Sequence, residues 1–426
     1  MTTATDRVER ALARIEQREE QVRAWRQVGA DQARARAEEL DAGENAGPLH
    51  GVPVGVKDVI DTADLPTENG SPIHAGRRPD TDAAVVARLR ETGAVLLGKT
   101  VTTEFAYYHP GPTRNPRALD HTPGGSSSGS AAAVADGMVP LALGTQTAGS
   151  TIRPASFCGV AGLATSVGSF TFGGICPLSP SMDTVGLFAA SVTDLAAFHE
   201  ALAGPAGEVE VPELAELTLL RCDAGQLAES TSRAGLTRQG GLDEEMAEAF
   251  EGLCRRLTEN GVRMVELGLV DECAELVTDH ATIMAREAYR VHADLMETDR
   301  GRLSAELLAL LDRGRDVPDE EYQAAMSRAA GYQSRFAERL GQAGSNAAIL
   351  LPAALGPAPL GHRSTGDPVL SRPWQVMGLP SVALPGLATA DGLPLGMQLV
   401  GSASADRDLL CAALAVETVL PPPPPN

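Results

Sequence analysis

Gly51-Val52-Pro53-Val54-Gly55-Val56-Lys57-Asp58 runs from apolar residues straight into a lysine and an aspartate. Its β-branched run, Val52 to Val56, reads as a short buried strand that delivers Lys57 at its end. Asp82 to Thr92 follows as an amphipathic helix, with Val85, Val86 and Leu89 facing inward and Arg88, Arg90 and Glu91 outward. Gly93 stops that helix, and Ala94-Val95-Leu96-Leu97 is a second buried strand. Strand, helix and strand in this rhythm predict an α/β fold, a sheet covered by helices.

Working outward, residues 5 to 42 read as one charged helix, with Leu12, Ile15, Val22 and Trp25 at helical spacing and Gly43 at its end. Ser127 to Met138 is rich in Ala, Ser and Gly, which suits a helix packed very close to a neighbour. Val139 to Leu143 reads as the next strand. An acidic, proline-bearing connection begins at 205 and leads to a strand over Leu217 to Leu220. Asp243 to Leu340 is mainly helical and charged. Strand character returns at Ala347 to Leu351, Ser381 to Leu384 and Gly396 to Val400. Strands on both sides of the helical middle favour one continuous domain. Its expected parts are an N-terminal helical region (1–45), a core (47–190), a variable helical region (205–340), C-terminal core strands (345–415) and a proline tail (421–426) with polyproline character.

The 426 residues suffice for a large core, and 43% are hydrophobic, as in soluble globular proteins. A formal charge of −21 repels phosphate backbones and anionic lipid, so neither nucleic acid nor a membrane is an expected partner. No apolar run approaches the roughly 18 residues of a membrane helix. Met1 to Arg18 has no apolar segment of the secretory type, so a cytoplasmic location is expected. The six cysteines form no C-x-x-C pair and read as reduced thiols. The eight histidines show no ligand spacing, and His199-Glu200-Ala201-Leu202-Ala203 lacks the second histidine of a zinc motif. No metal and no cofactor is expected.

Two motifs mislead. Gly93 to Thr100 matches G-x-x-x-x-G-K-[ST] letter for letter, but its middle is an apolar strand rather than a loop of exposed amides. Gly125-Ser126-Ser127-Ser128-Gly129 matches G-x-S-x-G with Ser127 at its centre, but the residues before it, Arg117 to Pro123, are polar rather than a buried strand.

Three residues carry a different chemistry. Ser150 closes Thr147-Ala148-Gly149-Ser150, where small residues let successive amides converge on an oxyanion; a simple glycine turn explains the composition equally well. Lys57, leaving a buried strand, would be desolvated and become a base, or would pair with Asp58. Ser126 follows two glycines that permit unusual backbone geometry, or it caps the alanine-rich helix. Ser126 and Ser150 lie 24 residues apart in sequence.

Together the segments resemble the amidase signature family, whose pattern is G-V-P-x-x-x-K-D, then G-G-S-S-G-G-S, then G-T-D-T-G-G-S-I-R. Gly51 to Asp58, Gly124 to Ser130 and Gly144 to Arg153 stand in that order. Leu97 to Thr100, Glu104-Phe105-Ala106, Phe157 to Leu163, Gly378 to Ser381 and Gly392 to Leu399 add further matches. The resemblance implies a large mixed β-sheet surrounded by α-helices and a Ser–cisSer–Lys triad. Ser150 would be the nucleophile, Ser126 the bridge across a cis peptide, and Lys57 the base. Amides of Thr147, Ala148, Gly149 and Ser150 would form the oxyanion hole. The implied reaction is hydrolysis of the C–N bond of a small amide through an acyl-enzyme.

Four departures stand out. Gln146 replaces the usual Asp, Ala148 replaces a Gly, and Ala164-Thr165-Ser166 stands where the family often has K-P-T. Arg153 falls three residues after Ser150 instead of two. In malonamidase-like members an arginine near this offset holds a substrate carboxylate. Arg153 would do so here, suiting a malonamate-, allophanate- or carboxybiuret-like amide, or else it bonds loop carbonyls. The resemblance also points to a homodimer. Other readings are the amidase subunit of a tRNA-dependent amidotransferase, a catalytically silent binding protein of the same fold, and a cysteine amidase using Cys158 or Cys176.

Overall fold

The computed structural model describes residues 2–43, 47–204, 210–237 and 241–422. The start of the acidic connection (205–209) and most of the proline tail (423–426) lie outside the described residues. Among the described residues, eleven strands join in one sheet: β1 (Trp25–Val28), β2 (Pro53–Lys57), β3 (Val95–Thr100), β4 (Leu141–Gln146), β5 (Ala161–Ala164), β6 (Thr184–Ala189), β7 (Thr218–Arg221), β8 (Arg263–Glu266), β9 (Ala347–Pro352), β10 (Ser381–Ala388) and β11 (Pro394–Val400). The strand order is β1-β3-β2-β4-β6-β5-β10-β11-β9-β7-β8. β3, β2 and β4 are mutually parallel, as are β9, β7 and β8, while the strands between them run antiparallel. The sheet is therefore mixed, and it carries both halves of the chain in a single α/β domain.

Both faces of the sheet are covered, which is why its strands read as near-continuous apolar runs. Val54, Val56, Leu96, Leu141, Leu143 and Leu187 enter one core cluster, whereas Val95, Leu97, Ala142 and Phe188 enter another. Alternation along each strand divides them. Five helices of the N-terminal half are needed below: α1 (Ala4–Val22), α2 (Ala30–Ala42), α3 (Ala84–Glu91), α4 (Ser128–Ala135) and α5 (Ile152–Cys158). Expected helix 82–92 is α3, and it connects parallel β2 and β3. α4 is buried at every residue. A Cβ on Gly129 would overlap the Ala24 carbonyl oxygen and the Val101 nitrogen, so only glycine allows α4 to sit there.

The expected single helix over 5–42 is instead α1, β1 and α2. Arg23 turns left-handed at φ 55°, and the Glu19 carboxylate accepts the N–H groups of Ala24 (3.0 Å) and Trp25 (2.9 Å). That local cap ends α1 and frees Trp25 to pair opposite Thr100 in β3. The charged middle also contains a strand, β8, a half-exposed edge whose Arg-Met-Val-Glu sequence carries no strand periodicity. β5 and β6 were not expected as strands; β5 is only Ala-Gly-Leu-Ala, too short and small to announce itself. No described helix is long and apolar enough to cross a membrane.

Candidate active site

Lys57 is the last residue of β2, and Gln146 is the last of its parallel neighbour β4. Their loops therefore leave the sheet side by side. Lys57 is fully buried, and its Nζ lies 2.7 Å from Ser126 Oγ and 2.7 Å from Thr145 Oγ1. Burial lowers the lysine from 10.5 to about 7, with the Asp183 and Cys176 side chains acting in the opposite direction. Asp58 does not pair with Lys57. It lies 3.7 Å from Lys99, whose Nζ also donates to the Ile60 carbonyl (2.5 Å) and Thr67 Oγ1 (2.6 Å). The G-x-x-x-x-G-K-[ST] lysine is thus a buried structural group on β3, not a phosphate ligand.

Ser126 follows a cis peptide bond from Gly125. The helix cap position beyond it belongs to Ser127, whose Oγ donates to the Thr145 carbonyl (3.2 Å). Ser127 N donates to the Ser150 carbonyl (3.3 Å), tying the two serine loops together. Ser126, Thr147, Ala148, Ser150 and Arg153 all line one cavity of about 20 Å³. Of the other candidate site residues, Lys57 reaches this group through Ser126, and Gly149 is not among the lining residues.

The loop 147–150 is braced from several sides. Gln146 Oε1 accepts the N–H groups of Thr151 (3.0 Å) and Ile152 (3.1 Å), and its Nε2 donates to Gln375 Oε1 (2.8 Å). An amide side chain therefore does here what an Asp in this position could do on its acceptor side only. Thr147 Oγ1 donates to Asp183 Oδ1 (2.5 Å), and His280 Nε2 donates to the Thr147 carbonyl (2.8 Å). Burial pushes Asp183 up to about 6 against its hydrogen bonds, and pushes His280 down to about 3, so the imidazole is neutral. Among the described residues, the N–H groups of Thr147, Ala148, Gly149 and Ser150 donate to no protein acceptor. Four successive free donors beside a nucleophile-sized cavity have the composition of an anion nest.

Arg153 lies in α5. Its Nε donates to the Thr365 carbonyl (2.6 Å), and its Nη2 to the Gly125 carbonyl (2.5 Å) and Thr365 Oγ1 (3.3 Å). It therefore bonds loop carbonyls, including that of the cis peptide. Its buried Nη1 has no partner. At the K-P-T position, Thr165 and Ser166 join the β6 start and the C-terminal helix: Thr165 Oγ1 lies 2.6 Å from Thr184 Oγ1, and Ser166 N donates to Asp406 (2.7 Å). Burial pushes the Cys158 and Cys176 thiols up to about 12, which leaves both un-ionised and poor nucleophiles.

Sequence reading missed Thr145, although it stands inside the Gly144 to Arg153 stretch, and Asp183, His280 and Gln375, which reach the site from distant positions. It also missed Tyr107 and Tyr108, although they directly follow the Glu104-Phe105-Ala106 match. Both tyrosines line the small cavity.

The family model described as Amidase matches residues 6–410. The glutamyl-tRNA(Gln) amidotransferase of Symbiobacterium thermophilum has an A-type subunit that is 33% identical over 98% of this chain and 93% of its own length. A solved amidase structure is 29% identical, with a TM-score of 0.87 over 98% of this chain and 96% of that one. A structure described as revealing the origins of an s-triazine catabolic enzyme is 27% identical, with a TM-score of 0.86 over 99% and 96%. With the strands, serine loops and buried lysine in this arrangement, the chain belongs to the amidase family, the amidase signature enzymes that act on carbon–nitrogen amide bonds.

Proposed function

We propose that the protein is an amidohydrolase that cleaves the C–N bond of a small, carboxylate-bearing amide through an acyl-enzyme on Ser150. The observation that carries this reading is the 2.7 Å approach of Lys57 Nζ to Ser126 Oγ, with Lys57 lowered to about 7. A neutral amine at this distance accepts the Ser126 proton as Ser126 accepts that of Ser150. The Ser150 oxygen then attacks the amide carbon, and the N–H groups of Thr147 to Ser150 stabilise the oxyanion. The relay returns a proton to the departing nitrogen, releasing ammonia or an amine, and water hydrolyses the acyl-enzyme by the same path. Arg153 lines the cavity with Nη1 unpartnered and serves the amide end of the substrate, since about 20 Å³ leaves no room for a carboxylate beside the amide. A homodimer belongs to the same reading, and light scattering after size exclusion tests it.

Ammonia release across paired neutral and carboxylated amides tests the reaction, and fluorophosphonate labelling tests the nucleophile. The expected outcome is a Ser150 adduct, absent from Ser150→Ala protein, and turnover of at least one amide. A folded protein that yields neither adduct nor ammonia favours a silent binding role and overturns the proposal.

The identity to the amidotransferase component supports a second reading, in which the chain supplies ammonia within a tRNA-dependent complex. Its charge of −21 favours the free hydrolase over a tRNA-associated component. Glutamine-dependent transamidation on addition of partner subunits would establish the second reading.

A further inference from the structure

Beside the small cavity lies a chamber of about 460 Å³, with Tyr107, Tyr108 and Met284 forming a shared wall. The chamber falls in the size range of small-molecule sites, about 300–1,000 Å³. The cavity at Ser150 has space for little more than one water-sized group. A substrate whose amide occupies the cavity therefore extends past the tyrosines. Phe105, Ala106 and Tyr108 adopt left-handed φ of 46°, 61° and 27°, which non-glycine residues rarely take; such backbone clusters at functional walls.

Arg372 lines this chamber and is 8% exposed. Its Nη1 donates to the Leu236 carbonyl (3.0 Å) and its Nη2 to Tyr108 Oη (3.0 Å), while its buried Nε has no partner. Neither Arg372 nor Arg153 forms an ion pair among the described residues, and the Arg372 guanidinium works against the charge of Arg153. The chamber also holds Glu306, Asp367 and the exposed Arg313. Glu306 is engaged by His109, and both Asp367 oxygens by Thr237 Oγ1 and Val369 N. Arg372 is the one charged lining residue that is more than nine-tenths buried. Burial works against the Arg372 charge while Tyr108 and the more distant Asp367 carboxylate support it, yet no carboxylate reaches its guanidinium and Nε keeps a donor that an arriving anion can take.

We propose that Arg372 is a specificity-determining residue that holds a carboxylate at the end of the substrate distal to the scissile amide. The substrate class is then the half-amides of short dicarboxylic acids, long enough to reach from Ser150 into the chamber. This rests on the amidohydrolase reading for the position of the amide.

Calorimetric binding to Ser150→Ala protein tests the chamber without turnover. The probes are succinamate, glutaramate and adipamate, each against the neutral amide of matching length (butanamide, pentanamide and hexanamide). At one length or more the acid amide should bind at least 10-fold more tightly than its neutral match. Arg372→Gln in the same background should reduce that preference by about 10- to 100-fold, the usual loss for a charge-assisted bond. Arg372→Lys should restore part of it, since it keeps the charge without the planar fork. Equal binding of acid and neutral amides at every length overturns the proposal, even if the Arg372 variants do not fold. A preference unchanged in folded Arg372→Gln protein also overturns it. Acid-amide binding to Ser150→Ala protein alongside a wild type that hydrolyses no amide would uphold the chamber and defeat the amidohydrolase reading. Hydrolysis without any preference would do the reverse.

Discussion

Replacing Lys57 with Met should make the protein more stable at mildly acidic pH while removing its activity. Lys57 is fully buried, and burial lowers it from 10.5 to about 7. At about 1.4 kcal/mol for each tenfold change in proton affinity, the unfolded chain holds this proton about 5 kcal/mol more favourably than the folded one. The sign follows from linkage. A base whose folded proton affinity is depressed destabilises the fold fully below pH 7, and the penalty fades as pH rises toward 10.5. Lys57→Met removes the penalty but leaves Ser126 Oγ and Thr145 Oγ1 without the amine, at about 1 kcal/mol each. At pH 6 the variant should therefore be about 3 kcal/mol more stable than wild type. At pH 9.5 the remaining penalty is about 1 kcal/mol, and the variant should be slightly the less stable of the two. Urea unfolding of both proteins at the two pH values measures this, and ammonia release should fall about 10²–10⁴-fold in the variant. A stability difference that does not change between pH 6 and 9.5 would mean that Lys57 holds its proton equally in both states.

Other perturbations follow from the same contacts. In wild type, kcat/KM should rise with pH through about 7 as Lys57 becomes neutral; Asp183→Asn removes an anion that raises Lys57, so the midpoint should move to lower pH in a pH–rate profile. Gln146→Ala orphans the N–H groups of Thr151 and Ile152, and urea unfolding should show a loss of about 2–6 kcal/mol with reduced kcat. Gly129→Ala drives a methyl into the Ala24 carbonyl oxygen, and should lower the thermal midpoint by several degrees or prevent folding. Iodoacetamide at pH 7 should leave activity intact, since Cys158 and Cys176 are held un-ionised.

What the sequence made legible was whatever is written contiguously. β2, β3, β7, β9, β10 and β11 were visible because strands buried on both faces are unbroken apolar runs. Lys57, Ser126 and Ser150 were visible because each sits in a short motif at a strand or helix end. The break after Val22 was hidden in a side chain, Glu19, folding back onto two amides. β8 exists through its pairing with β7 rather than through its own side chains. The supports of the oxyanion loop were hidden for a related reason. Asp183, His280 and Gln375 lie 36, 133 and 229 residues from the residues they touch, Thr147 for the first two and Gln146 at the end of β4 for the third, and no local pattern spans such separations. Arg153 fulfilled the structural alternative, through its bonds to Thr365 and Gly125, and still has one buried nitrogen, Nη1, without a partner.

The two cavities draw their walls from different parts of the chain. Those closest to Ser150 come mainly from residues 106–178, whereas most of the chamber comes from residues 235–237, 281–313 and 359–372. Mutational drift in the later segments reshapes what can enter while β2, β4 and their two loops stay untouched. On the proposed reading, reactivity and selectivity are coupled only through the shared wall of Tyr107, Tyr108 and Met284 and through His280. A graft of the middle would have to keep His280, which holds the Thr147 carbonyl, and Met284, which lines both cavities.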